Sequence, residues 1–367
     1  MAAHTRISIV GAGIGGLVLG RCLKARGIPA ILWDSAPASR RQSYSITLLP
    51  WAYDLLLKDL SLDHATFYKR VAVDYKRQDS NDQQHIGAPF RAHRGELEGL
   101  LAEGLDIRWS HKLTKVQKDT HQNTLSFEDG KHFTSDIVIG ADGVHSQVRK
   151  SIAPNSQVKV HPYVVYNGKR RIDPANFEQL ASQFRNVISV QTRHGDAFLQ
   201  AYVNEYKDEY VSLSYTYSRP SRELSDPLDQ RDRSVSGASK IPEALFDEVD
   251  HMAGLEEPFA TVFDSRAMRD DRVLHWLMRS VTVNAEELAD AASKGIALIG
   301  DALHGTPILG SEGANLAIRD SVELADCIAQ SSSLTTYFND RGHRWSAAVE
   351  DSETRLAGIH AVEKASL

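Results

Sequence analysis

Ile7-Ser8-Ile9-Val10-Gly11-Ala12-Gly13-Ile14-Gly15-Gly16 is the stretch whose reading decides the fold. A short apolar run enters a glycine-rich turn, and Leu17 to Arg26 continues with helical spacing until Gly27 and Pro29 stop it. Ala30-Ile31-Leu32-Trp33-Asp34 then reads as a second strand. Both strands are almost continuously apolar, which suits a parallel sheet covered on both faces. Gly11, Gly13 and Gly16 form GxGxxG, with Gly15 inside it, and Asp34 lies 18 residues beyond Gly16 (34 − 16). The glycines allow a tight turn and close approach of backbone to a pyrophosphate, whose charge the helix amides favour. Asp34 is placed to accept from ribose hydroxyls. A glycine-rich turn in an ordinary α/β fold is the alternative, and it leaves Asp34 unexplained. Which dinucleotide binds is not settled by this motif.

Outward from this unit, Trp51–Leu60 and Gly95–Gly104 read as helices, Asp106–Trp109 as a strand, and Asp136–Gly140 as a third buried parallel strand. From about Val158 the texture changes to alternating, tyrosine-rich strands. Val211, Leu213, Tyr215 and Tyr217 alternate with Ser212, Ser214 and Thr216, the pattern of a half-buried antiparallel sheet. Ser218–Ser239 is polar, with Pro220 and Pro227, and is expected to be a mobile loop. Buried-strand texture resumes at Gly295–Gly300, followed by a helix from Gly313 to Gln330 and a helical tail.

The 367 residues carry a formal charge of −6 with no basic block, which argues against nucleic acid or an anionic membrane as the main partner. Cys22 and Cys327 stand far apart, so neither a disulfide framework nor a cysteine zinc site is expected, and no histidine pair has metal spacing. No apolar stretch reaches the roughly 18 residues of a membrane span. No signal peptide is read at the start, and a cytoplasmic location is expected.

Two later segments identify the dinucleotide. They are Asp136-Ile137-Val138-Ile139-Gly140-Ala141-Asp142-Gly143-Val144-His145-Ser146-Gln147-Val148-Arg149 and Gly300-Asp301-Ala302-Leu303-His304-Gly305-Thr306-Pro307-Ile308-Leu309-Gly310-Ser311-Glu312-Gly313-Ala314-Asn315. At these residues the chain resembles the group A FAD-dependent monooxygenases of the para-hydroxybenzoate hydroxylase fold, and the second segment looks most like fungal aromatic hydroxylases. Arg94 matches the arginine that contacts flavin in that family. Pro307 lies three rather than four residues after His304, and Ser43 stands where a glycine is usual, which bears on any flavin contact of Arg41.

The resemblance implies an α/β fold: a Rossmann-type FAD-binding domain with an inserted antiparallel β-sheet substrate domain. Residues 1–157 and 286–367 would form the former, the first part contributing to the substrate cap, and 158–285 the latter. The implied cofactor-binding residues are Gly11, Gly13, Gly15, Gly16, Asp34, Arg94, Asp142, Asp301, Pro307, Gly313, Ala314 and Asn315. Asp142 either holds structure or serves nicotinamide access, and His304 is read as structural. The helix starting at Gly313 can stabilise negative charge on reduced flavin.

The implied reaction is FAD-dependent monooxygenation. FAD is reduced by NADPH or NADH bound transiently, since no second GxGxxG is present, and reacts with O2 to give a 4a-hydroperoxide. One oxygen atom then passes to an aromatic or polycyclic small molecule. Arg170 and Tyr202 are the candidate catalytic residues, an arginine favouring an ionised phenol by charge pairing. A solvated arginine at a strand end and a tyrosine packed in its sheet are the alternatives. A non-oxygenating flavoprotein of this fold (a reductase or cyclase) and a flavin-binding protein that only sequesters a ligand also stay open. A monomer or homodimer is expected. So is the absence of the extra C-terminal domain of some relatives.

Overall fold

The computed structural model describes residues 5–39, 43–74, 87–119, 122–185, 187–222, 225–310 and 312–361. In chain order the strands are β1 (Ile7–Val10), β2 (Ala30–Trp33), β3 (Ser45–Leu48), β4 (Phe90–His93), β5 (Asp106–Arg108), β6 (Leu113–Gln117), β7 (Asn123–Phe127), β8 (His132–Ser135) and β9 (Ile137–Gly140). They continue as β10 (Gln157–Val160), β11 (Tyr163–Ile172), β12 (Val190–His194), β13 (Ala197–Tyr206), β14 (Val211–Pro220), β15 (Arg272–His275), β16 (Arg279–Thr282) and β17 (Ile296–Leu298).

One five-stranded sheet has the order β17-β9-β1-β2-β5, and all its pairs are parallel. All four residues of β1 are buried because the strand is central. The sheet's last strand, β17, comes after the whole antiparallel sheet β12-β13-β14-β11-β15, which therefore interrupts the nucleotide-binding unit in sequence. Helices Ile14–Ala25 and Gly313–Ala329 belong with the parallel sheet to one apolar core that includes Ile9, Leu17, Leu32, Ile139, Leu298 and Ile318. β3 and β4 pair with each other antiparallel and lie against β13.

The antiparallel sheet has two unlike faces. Val164, Tyr166, Leu199, Leu213, Tyr215 and Tyr217 form a second core with Phe177, Leu245, Phe246 and Val262 from the covering helices. Asn167, Asn204, Ser214, Thr216 and Ser218 occupy the opposite face, where Asn204 Nδ2 donates to Ser214 Oγ at 2.7 Å. Alternation in β14 suggested one solvated face, yet every residue from Val211 to Arg219 is buried. The serine face is covered by protein instead of water: Asn204 Oδ1 accepts from Ser45 N at 2.9 Å, and Ser218 Oγ meets His360 Nε2 at 2.9 Å.

Ser218–Ser239 also differs from the mobile loop expected. Ser218 to Pro220 still belong to β14, and Ser236–Ser239 form a short 3-10 turn. Arg219 is 1% exposed, and its guanidinium donates to both oxygens of Asp226 (2.5 and 2.9 Å) and to Glu248 Oε1 at 2.8 Å. The polarity that suggested a loop belongs to a buried ion cluster. Residues 223–224 of this stretch lie outside the described residues.

Removing one member of such a pair leaves a buried charge uncompensated, so Arg219→Met should cost about 3–5 kcal/mol in denaturant unfolding. Arg219 holds the Asp226 carboxyl down to about 2. Its contribution is thus complete above the ordinary aspartate value of about 3.9 and fades as pH falls toward 2. Unfolding curves between those limits should show that loss in the parent chain and a smaller one in Arg219→Met.

Candidate functional site

The turn after β1 is shaped by backbone contact. Gly11 has φ +106°, and a Cβ there would lie 2.4 Å from the Ala141 carbonyl oxygen. A Cβ on Gly16 would lie 1.9 Å from the Gly11 carbonyl oxygen. Only glycine permits these approaches, which press the first turn against the loop after β9. Gly13 begins the helix without a side-chain cap, so its first amides stay free for an anion. Gly15 packs toward Ala317, and its carbonyl accepts from Ser321 Oγ at 2.8 Å. Asp34 directly follows β2, and its Oδ2 accepts from Ala12 N and its Oδ1 from Ala36 N, both at 2.7 Å. Each oxygen keeps a second lone pair for a hydroxyl donor.

Arg94 faces this turn, since a Cβ on Gly13 would sit 4.0 Å from its Nη2. Its Nε donates to Glu98 Oε1 at 2.8 Å and its Nη1 to the Tyr44 hydroxyl, which fixes the guanidinium. Asp301 opens the short helix Asp301–His304 after a Gly300 with φ +55°. Burial pushes its carboxyl up, opposed by the charges of His304, Arg94 and Arg149. Arg149 is buried and donates to the Ala302 carbonyl at 2.9 Å and the Val144 carbonyl at 2.5 Å, stitching the loop after β9 to the Gly300–Asp301 turn. A continuous series therefore runs Gly13, Arg94, Asp301, Arg149. Tyr44, Arg91, Arg94 and Asp142 are half-buried and Asp301 is exposed, so the cleft they border is open to solvent. Two other clefts of about 530 Å³, one behind the antiparallel sheet and one below β1, contain none of these residues.

Several expected cofactor residues turn out to hold the cleft's frame. Asp142 accepts from Ser146 Oγ (2.5 Å), Gln147 N (2.7 Å) and Val148 N (3.2 Å), capping the helix Gln147–Ile152. Asn315 is buried with its amide clamped to β3 and the residue after it: Nδ2 donates to the Thr47 carbonyl at 3.0 Å, and Oδ1 accepts from Leu49 N at 2.9 Å. Gly313 and Ala314 start their helix behind Glu312, which supplies no side-chain cap, so free amides remain. Pro307 is buried in the link before that helix. His304 Nε2 meets Asp320 Oδ2 at 2.5 Å and its ring stacks on Trp345, a structural placement. Asp320 also accepts from Gly300 N and Trp345 Nε1, both at 3.0 Å. Arg41 lies outside the described residues, while Ser43 accepts from Lys169 Nζ through its carbonyl and its Oγ (2.8 Å).

The two catalytic candidates are not brought together. Arg170 points to the helix-covered face of the sheet, where Nε donates to Asp271 Oδ2 at 2.8 Å and Nη1 to the Thr261 carbonyl at 2.6 Å. The Tyr215 hydroxyl shares the same Asp271 oxygen at 2.8 Å. The strand alternation explains this, because Arg170 has the parity of Tyr166 and Val164, which belong to the second core. Tyr202 lies on the opposite face with Asn204, half-buried, its ring 4.1 Å below the Arg91 guanidinium carbon.

Sequence reasoning missed Arg91, Tyr44, Arg149 and Asp320. Asp320 had a signal: it is an acid three residues after Ala317 and four before Leu324, on the apolar stripe of its helix. Arg149 closed a motif already quoted. Arg91 and Tyr44 gave none. Among the described residues no cluster of three or more metal-ligating side chains occurs.

The family model described as "FAD binding domain" matches residues 4–233 and 255–352. The chain belongs to the FAD-dependent monooxygenases. It is 32% identical to the FAD-dependent monooxygenase adaC of Aspergillus niger over 386 residues, covering 96% of this chain and 93% of that one. With the FAD-dependent monooxygenase nscC of Aspergillus fumigatus the identity is 30%, covering 98% and 96%. Among solved structures, 2,6-dihydroxypyridine-3-hydroxylase of Arthrobacter nicotinovorans superposes with a TM-score of 0.75 at 18% identity, covering 99% of this chain and 95% of that one. Klebsiella pneumoniae HpxO, complexed with FAD and uric acid, does so at 0.71 and 19%, covering 99% and 90%. These two show the fold.

The monooxygenase's residues fit FAD. The glycine turn is a cradle that a Cβ would fill, Asp34 retains acceptor capacity, and two uncapped helix starts border one deep cleft with Arg94 and Asp301 on its wall. Losing a charged hydrogen bond costs about 1.5–3 kcal/mol, so Arg94→Met should weaken FAD binding about 10- to 100-fold in fluorescence titration of the apoprotein. Arg170→Met should instead lower unfolding stability by about 3–5 kcal/mol while the flavin content of the folded fraction stays that of the parent.

Proposed function

We propose that this monooxygenase inserts one oxygen atom of O2 into an aromatic or polycyclic small molecule, using NADH or NADPH as reductant. The observation that carries the proposal is the position of Tyr44. It bonds Arg94 on the cofactor side, while the next residue, Ser45, donates from its N to Asn204 Oδ1 at 2.9 Å and Arg91 lies 4.1 Å from the Tyr202 ring, so the residues of the cofactor side adjoin the inserted sheet. The names of the relatives support oxygenation, and those of the two superposed structures refer to a dihydroxypyridine and to uric acid.

Bound FAD supplies the reducing equivalents and the activation of dioxygen. The chain's own residues do the rest. Arg94 and the uncapped start of helix Ile14–Ala25 hold the cofactor's phosphates. Asp34 orients its ribose. The free amides at Gly313 and Ala314 would offset negative charge on a flavin ring held beside them. Asn315, clamped to Thr47 and Leu49, fixes β3 against that helix. Arg279 and His145 lie within electrostatic range of each other beside the loop after β9. The Arg279 charge, beside a His145 ring that burial and that charge hold neutral, suits the pyrophosphate of a nicotinamide dinucleotide.

Turnover of a phenol and aza-aromatic panel under isotopically labelled dioxygen tests the proposal. One labelled atom per product molecule, with one nicotinamide oxidised, is expected. Nicotinamide oxidation that returns all the oxygen as hydrogen peroxide with every compound would refute it, as would failure of both nicotinamides to reduce the flavin.

A further inference from the structure

Helix Arg94–Ala102 opens with the arginine that faces the glycine turn, and the residue before it, in the capping place, is a histidine. His93 Nδ1 accepts from Glu96 N at 3.3 Å, the bond that a serine, aspartate or asparagine oxygen makes at most helix starts. A ring nitrogen accepts only while it carries no proton, so the cap selects the neutral tautomer with its hydrogen on Nε2. Among the described residues that Nε2 is buried without a hydrogen-bond partner, and Glu205 Oε1 of β13 lies 4.0 Å from it. The ring therefore stands between a helix amide that wants it neutral and a carboxylate that wants it charged. Arg94 depends on the turn that His93 caps. Its Nε donates to Glu98 Oε1, one turn along the same helix, at 2.8 Å, and its N to the Tyr44 carbonyl at 3.0 Å.

The charges around the ring come from three elements. Glu205 and Lys207 lie on β13, Lys169 on β11 and Glu96 on the capped helix, while β3 places only Ser45 opposite His93. Burial, with Lys207 and Lys169, pushes the His93 pKa below its ordinary value against Glu205 and Glu96. The positive end of the helix acts in the same direction. Glu205 keeps its own charge: against burial, Lys207 Nζ at 2.9 Å holds its carboxyl below the usual range. In acid the ring gains a hydrogen on Nδ1, which then faces the Glu96 amide hydrogen, donor against donor. The cap is lost on one side, and an ion pair with Glu205 becomes available on the other.

We propose that His93 is a positioning residue for Arg94: its neutral ring caps the helix that Arg94 opens, and in acid the protonated ring leaves that cap for Glu205, which loosens the hold on FAD. This rests on Arg94 binding the cofactor and on nothing about the substrate. Affinity for FAD is then full above the ordinary histidine value of about 6.5 and falls as pH drops below it. Because only a cap is lost, the fall levels off at about fivefold. An asparagine here would cap as well and never let go, so the histidine makes the grip on the cofactor responsive to acid.

The test reads FAD binding, not turnover. Free FAD above diluted holoenzyme is measured by ultrafiltration and fluorescence from about pH 8 down to about pH 5. His93→Asn, which keeps a capping acceptor without a titrating ring, should bind FAD as the parent does at the alkaline end and lack about fivefold of the parent's fall at the acid end. His93→Ala, which has no cap, should bind about fivefold more weakly throughout. Glu205→Gln takes away the carboxylate that receives the charged ring and should move the parent's fall to lower pH. The proposal is overturned if His93→Asn keeps the whole parental fall, if it binds no better than His93→Ala at the alkaline end, or if the fall stays in place in Glu205→Gln. Should His93→Ala fail to fold, the parent, His93→Asn and Glu205→Gln decide without it. Arg94→Met separates the premise from the proposal. Parental FAD binding in that variant would refute the role of Arg94, whereas weakened binding there beside an unchanged profile in His93→Asn would refute the role of His93 alone.

Discussion

A single buried carboxylate organises the far side of the cofactor cleft. Asp320, 1% exposed, takes hydrogen bonds from the Gly300 amide, the His304 imidazole and the Trp345 indole, while its own carbonyl accepts from the Tyr337 hydroxyl. Four segments converge on it: the end of the parallel sheet, the short helix with Asp301, the helix that starts at Gly313, and the long C-terminal helix. His304 and Trp345 are stacked upon one another, so the charge is enclosed by rings as well as donors. The nearby imidazole holds the Asp320 carboxyl below the usual range, and the carboxylate in turn raises the His304 pKa. Without this knot the Gly300 turn, which runs through left-handed backbone, would have no fixed amide direction, and Asp301 would not face Arg94.

The opposite wall depends on backbone sterics. Gly11 and Ala141 approach more closely than any side chain allows, so the two β–turn units meet before a ligand is present. Arg149 then ties the second unit to the Asp301 turn through main-chain carbonyls. The cleft is thus framed by contacts that do not touch its contents, and the residues left over are those free to bind.

The nucleotide-binding sheet was legible because its strands are local apolar runs with a glycine turn whose spacing has one physical purpose. The steric demand on Gly11 was legible for the same reason, whereas Arg94 entered only through the family resemblance. What failed to show was pairing across distance. Arg170 and Arg91 are both arginines on strands, and nothing local says that one meets Asp271, 101 residues away, while the other meets no acid among the described residues. Strand parity placed Arg170 with Tyr166 and Val164, but which face the helices would cover is decided by segments far along the chain. Ser218–Ser239 misled for a related reason: a charged, proline-containing stretch looks solvated until Arg219 finds Asp226 and Glu248.

The inserted sheet divides labour between its faces. Tyrosines and aliphatic residues on one side pack against helices and carry the stability of the unit, while serine, threonine and asparagine line the other with little volume of their own. The hydroxyls of that second side are buried against β3 and the C-terminal helix, so a change there is felt by those elements before the tyrosine layer beneath. Such a sheet is a floor whose tiles can be exchanged one at a time. A lineage built on it can change that layer while the fold and the knot around Asp320 stay as they are.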